Sequence, residues 1–168
     1  MKAAALTRYG SPDVVRIVDV PMPAVGERDV LVRVCVTTVN RTDCGCRAAH
    51  PFFIRVFTGL LRPRRTILGT EFAGTVEAIG GGVTSFAVGD EVFGFHEWKF
   101  GAHAEYLSIP EGGPVTAMPA NLTYEETARA PRARITPSRI SGKPRSGRDR
   151  PCSSMAPPGR SGPRRSSS

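Results

Sequence analysis

The feature that most constrains this chain is a glycine-punctuated apolar run, Gly69-Thr70-Glu71-Phe72-Ala73-Gly74-Thr75-Val76-Glu77-Ala78-Ile79-Gly80, continued by Gly89-Asp90-Glu91-Val92-Phe93-Gly94-Phe95. From Phe72 to Ile79, polar Thr75 and Glu77 stand between apolar neighbours, the two-residue period of a strand. Gly80, Gly81 and Gly82 permit a tight turn. Gly89-Asp90 is a turn dipeptide that feeds a second strand over 91–95. The spacing therefore predicts a hairpin-like pair of strands with glycine wherever the backbone must bend.

Strands are predicted on both sides of this pair. Lys2 to Arg8 and Val14 to Val20 read as two, separated by the turn cluster Tyr9-Gly10-Ser11-Pro12. Asp29 to Thr38 alternates over its whole length, and its better core face is Val30, Val32, Val34 and Val36. Cys35, on the other face, reads as a small filler rather than a reactive thiol. Ala102 to Ile109 predicts another strand, and Val115 to Pro119 a short edge strand ended by proline.

Helices are expected to be short. One follows Val39-Asn40-Arg41-Thr42-Asp43, capped by Asn40 or Thr42, and stops before His50-Pro51. Residues 52–67 read as a loop with at most one helical turn. Asn121 to Glu126 opens a second helix, with Thr123 and Glu126 spaced as a capping box.

The Gly69 to Gly80 run, the Gly89-Asp90-Glu91-Val92 turn and Gly101-Ala102-His103-Ala104-Glu105-Tyr106 together resemble the amino-terminal, GroES-like domain of the medium-chain dehydrogenase/reductase family. The resemblance implies a mainly β fold with short helices, a partly open barrel over residues 1–130. It also implies a zinc question. Zinc-dependent members hold the metal with a cysteine and a histidine, at positions where this chain carries Asn40 and Thr70. Neither side chain is a zinc ligand, and Glu71 alone cannot make a site. Cys44-x-Cys46 has the wrong spacing for a zinc knuckle, and His50, His96 and His103 are scattered singly. No metal is expected.

The chain is instead similar to the zinc-free branch, the quinone oxidoreductases. That likeness implies that Asn40, Asp43 and Thr70 face the nicotinamide side of a cleft. Asn40 and Asp43 also read simply as turn and helix-cap residues, and the two roles are compatible. In that branch hydride passes from NAD(P)H to a quinone, enone or aldehyde, and the protein positions the partners. No catalytic residue can be named from the sequence.

Composition matters only at one boundary. Residues 1–130 carry 13 Lys plus Arg against 14 Asp plus Glu, whereas residues 131–168 carry nine Arg and one Lys against one Asp. That last segment also holds nine Ser, seven Pro and four Gly, a composition that predicts a disordered basic tail. The net charge of +8 belongs to the tail. Such a tail would bind phosphate non-specifically, so a non-enzymatic module contacting nucleic acid or another polyanion is the alternative function. It lacks interleaved aromatic residues for stacking, and no specific nucleic acid partner is expected. The dinucleotide-binding turn that completes such enzymes is missing from this reading frame, since Pro157 to Gly162 has no strand before it and no helix after.

The genetic code adds a further reading. With each codon begun one base earlier and third bases free, Cys152 to Ser168 can encode V-L-V-Y-G-A-T-G-A-I-G-S-A-A-V-Q-L. That string is a hydrophobic strand, a glycine turn and a helix start. The same shift over Ile135 to Arg150 permits H-Y-A-L-S-Y-I-R-E-A-K-I-R-P-G-Q. The tail therefore reads as out of frame from near residue 130. On this reading the polypeptide is the substrate-domain fragment of a zinc-independent NAD(P)-dependent oxidoreductase, inactive and without tight cofactor binding by itself. No signal peptide, membrane span or disulfide framework is expected from the apolar runs and the four cysteines, so a cytoplasmic location is the default.

Overall fold

The computed structural model describes residues 1–50, 56, 59–63, 66–95 and 100–128. The expectations for the basic tail, for His96 and for a helical turn within residues 52–67 lie wholly or largely outside them. Seven strands and two α-helices make up the described residues: β1 (Lys2–Leu6), β2 (Val15–Asp19), β3 (Asp29–Thr37), α1 (Arg41–Ala48), β4 (Glu71–Ile79), β5 (Glu91–Phe95), β6 (Tyr106–Pro110), β7 (Val115–Ala117) and α2 (Tyr124–Ala128). A 3-10 turn, Pro12–Val14, precedes β2. No helix among the described residues is long and apolar enough to cross a membrane.

All pairings are antiparallel. β1 and β2 form a two-stranded sheet, and the other five run in the order β6-β3-β4-β5-β7. Bridges from Ala3 to Ala104 and from Ala5 to Ile67 tie the small sheet to the segments flanking the large one. The result is the mainly β, curled half-barrel that the sequence predicts. β4 is its central strand, between β3 and β5, and β7 is one edge, as the proline-terminated segment implied.

Two apolar clusters fill the fold. One gathers Val30, Val32, Phe72, Val76, Val92 and Ile109, each at most 1% exposed. Burying side chains of this size contributes about 1.5–3 kcal/mol each. The other joins Ala73, Met118, Tyr124 and Ala128, with Cys35, Val36 and Phe93 against it. The valine face of β3 therefore does not stay on one side. Irregularities in the β3–β4 register between Leu31 and Val32 and between Val34 and Val36 turn the strand, so that Val30, Val32 and Val34 serve the first cluster and Cys35 and Val36 both serve the second. Among the described residues Cys44 and Cys46 are free thiols, and Cys35 packs against the second cluster as the small filler expected.

Gly74 shows why the central run must contain glycine. A Cβ there would sit 2.1 Å from the Arg33 carbonyl oxygen on the paired strand. The constraint is close approach of backbone, not a turn.

Candidate functional site

The site is built where β3 ends, α1 begins and the Gly69–Thr70 segment leads into β4. α1 starts because Asn40 caps it. Its Oδ1 accepts from the amides of Thr42 at 2.9 Å and Asp43 at 3.1 Å, and the Asp43 carboxylate returns to the Asn40 amide at 3.0 Å. This is a reciprocal capping box with Asn and Asp in the two roles. Of the two caps the sequence allowed, Asn40 is the one used. The helix ends on Ala49 in the left-handed conformation, immediately before His50-Pro51.

Asp43 does more than cap. Its second oxygen accepts from the Gly69 amide at 3.0 Å, and the residue is 2% exposed. It thereby ties the start of α1 to the segment feeding β4. Gly69 adopts φ +92°, and a Cβ there would meet the His103 ring and backbone at 2.6 Å. Thr70, one residue on, is fully buried and accepts from Asn40 Nδ2 at 2.7 Å. The structure therefore brings Asn40, Asp43 and Thr70 together in one hydrogen-bonded cluster.

Only Asn40 of the three is half-exposed. Its oxygen must face the two helix amides, because amides only donate, which leaves Nδ2 with two hydrogens. Thr70 takes one. The other has no partner among the described residues. The cluster therefore keeps one carboxamide N–H outside its own hydrogen bonds, and Val39, next to Asn40 in the chain, is 74% exposed.

Other side chains support the cluster. Thr38 donates its hydroxyl to Glu71 Oε2, and Thr37 bonds the Glu71 carbonyl at 2.8 Å. His103 Nε2 lies 3.0 Å from the Thr38 carbonyl and 4.0 Å from Asp43 Oδ2. Burial first, and then the Asp43 charge, pushes the Cys46 thiol above its ordinary range, so it is not poised as a nucleophile. Among the described residues no group of three or more His, Cys, Asp or Glu is placed to hold a metal. The amide and hydroxyl at positions 40 and 70 are bonded to each other and do not fit zinc.

Sequence reasoning found the capping pair and grouped Thr70 with it through the resemblance. It missed the Gly69 amide as a partner of Asp43, because nothing in the spacing of residues 43 and 69 signals contact. It also left His103 open between a surface and a hydrogen-bonded role; the second holds.

The family described as "Alcohol dehydrogenase GroES-like domain" matches residues 26–120. The 2-methylene-furan-3-one reductase of Solanum lycopersicum is 33% identical over 141 residues, covering 79% of this chain and 34% of that protein. The chloroplastic NADPH-dependent alkenal/one oxidoreductase of Arabidopsis thaliana is 28% identical, covering 79% of this chain and 35% of that protein. Among solved structures, a quinone oxidoreductase of Pseudomonas syringae pv. tomato DC3000 superposes with a TM-score of 0.64 at 30% identity, covering 76% of this chain and 36% of that one. The chain spans about a third of the length of the curated relatives it matches.

Proposed function

Since this chain belongs to the alcohol dehydrogenase GroES-like domain family, we propose that it is the substrate-side part of a zinc-independent NAD(P)H-dependent reductase of quinones or enones. The observation that carries the reading is the half-buried Asn40 carboxamide, locked by three hydrogen bonds and left with one N–H outside them. A single fixed donor suits a carbonyl oxygen, such as that at the edge of a nicotinamide ring. Asp43 and Thr70, both buried, hold Asn40 in place rather than touch the ligand. The cofactor, when bound, supplies the hydride. This chain's residues orient it at one edge, with no reorganisation needed at the moment of transfer. The Asn40–Thr70 bond supports a reaction that uses no zinc.

An edge contact is weak. One N–H cannot offset the several kcal/mol or more that association costs. Cofactor affinity would have to come from a phosphate-binding turn, which residues 131–168 lack in this frame and can encode in the neighbouring one when third bases are left free. The first 130 residues are about 77% of the 168, close to the 76–79% of this chain covered by the two relatives and the solved structure described above. That agreement supports a frame change near residue 130.

The test is an NADPH fluorescence titration with a quinone-reduction assay on two chains. One is the 168-residue chain; the other has the frame restored near residue 130. The short chain is expected to do neither, and the restored chain both. Turnover by the short chain would overturn the fragment reading. An inert but folded restored chain would overturn the assignment of the hidden frame.

A further inference from the structure

His103 is the one imidazole among the described residues that faces the candidate site, and the proposed function gives it no role. Its backbone is held from several sides. The His103 amide donates to the Leu68 carbonyl at 3.0 Å, its carbonyl accepts from the Ala4 amide at 2.8 Å, and the neighbouring Ala102 amide donates to the Gly69 carbonyl at 3.2 Å. The ring packs against Gly69, where even a methyl group would collide with it. The side chain is 12% exposed. It is a fixed reference point at the seam between β1, the Gly69 segment and the end of β3.

From that point Nε2 reaches the Thr38 carbonyl at 3.0 Å. A carbonyl only accepts, so Nε2 carries the proton and donates. Thr38 follows the last residue of β3, two positions before Asn40. The residue between them, Val39, is largely exposed, so only the two ends of this turn are held. Downstream, Asp43 accepts from the Asn40 amide. Upstream, the main chain is held by His103 and the Thr38 side chain by Glu71. Asp43 and Glu71 are the charged side chains on the segments meeting the ring among the described residues, while Glu105 is exposed and accepts from the Lys2 amide, and the Lys2 ammonium pairs with Asp19.

We propose that His103 is a further positioning residue of this site, beside Asp43 and Thr70: by donating from Nε2 to the Thr38 carbonyl it fixes the Thr38–Asn40 turn and with it the direction of the Asn40 carboxamide. This deepens the reading of Asn40 as the ligand-facing donor and rests on it. His103 acts through Asn40 and need not touch substrate or cofactor.

The test is NMR of the ligand-free 168-residue chain with the variants H103L and H103Q. In the wild-type chain a slowly exchanging imidazole Nε2–H is expected, with a through-hydrogen-bond coupling to the Thr38 carbonyl carbon. H103L is expected to speed exchange of the Asn40 amide about tenfold and to move its carboxamide resonances toward those of a solvated amide. The Ala4 amide, bonded to the residue 103 backbone, is expected to stay protected. H103Q, whose side-chain amide can donate to the same carbonyl, is expected to hold exchange within about twofold of wild type. A wild-type ring without a proton on Nε2, an H103L indistinguishable from wild type, or an H103Q as disturbed as H103L would each overturn the proposal. If H103L does not fold, the wild-type coupling and H103Q still decide. None of these readouts involves ligand, so failure here and failure to bind NADPH in the restored chain are separate results.

Discussion

Replacing Asp43 by alanine separates two accounts of the candidate site. If Asp43 were only the return half of a helix cap, the change would cost about 0.5–2 kcal/mol, the usual range for losing a cap. The structure gives it a second task. One oxygen accepts from the Asn40 amide and the other from the Gly69 amide, each at 3.0 Å, and the Gly69 bond is buried. Hydrogen bonds to a charged group are worth about 1.5–3 kcal/mol each, and a buried donor left without an acceptor loses its hydration as well. Relief from burying a carboxylate offsets part of this. We therefore expect D43A to destabilise the chain by about 3 kcal/mol, and D43N, which keeps one acceptor, by about 2 kcal/mol. Against a total stability of roughly 5–15 kcal/mol, either loss is large. Equilibrium urea unfolding of the three proteins, with unchanged slopes, is the assay. A D43A loss of 1 kcal/mol or less would refute the clasp between α1 and the Gly69 segment and leave Asp43 a plain cap.

Other expectations follow from single features. Gly74→Ala places a methyl group against the Arg33 carbonyl oxygen and should break the β3–β4 pairing, read as loss of the cooperative thermal transition. Tyr124→Phe removes the hydroxyl that bonds buried Glu91 at 3.0 Å, and should cost about 1–3 kcal/mol in the same urea assay. The Glu111 carboxyl is lowered to about 2, chiefly by the Thr84 amide and then by Arg28, from an ordinary 4.5. Because the folded value is the lower one, its stabilisation is complete above pH 4.5 and drains away as pH falls toward 2. An E111Q chain should show a flatter acid-unfolding profile over that window. Elemental analysis after chelator treatment should find no stoichiometric zinc, since positions 40 and 70 offer an amide and a hydroxyl; about one zinc per chain would contradict this.

What the sequence determined by itself was local. Alternation marked β3 and β4, the two longest strands, and turn residues marked where several others begin or end. Asn40 or Thr42 as a cap, and the Thr123–Glu126 spacing, marked the starts of α1 and α2, because a cap bonds amides only two or three residues away. Both capping boxes are present, the second with bonds of 2.9 and 3.2 Å. Resemblance added Thr70 to the first of them. What only the tertiary structure decided lies across long separations in the chain. Asp43 meets the Gly69 amide 26 residues away, and His103 meets the Thr38 carbonyl 65 residues away. The turn of β3 from one cluster to the other comes from its register with β4, not from its own pattern of valines. Gly74 follows the same logic. In the sequence it is one small residue among several, and its necessity appears only when β3 is laid beside it and the Arg33 carbonyl fills the space a side chain would need.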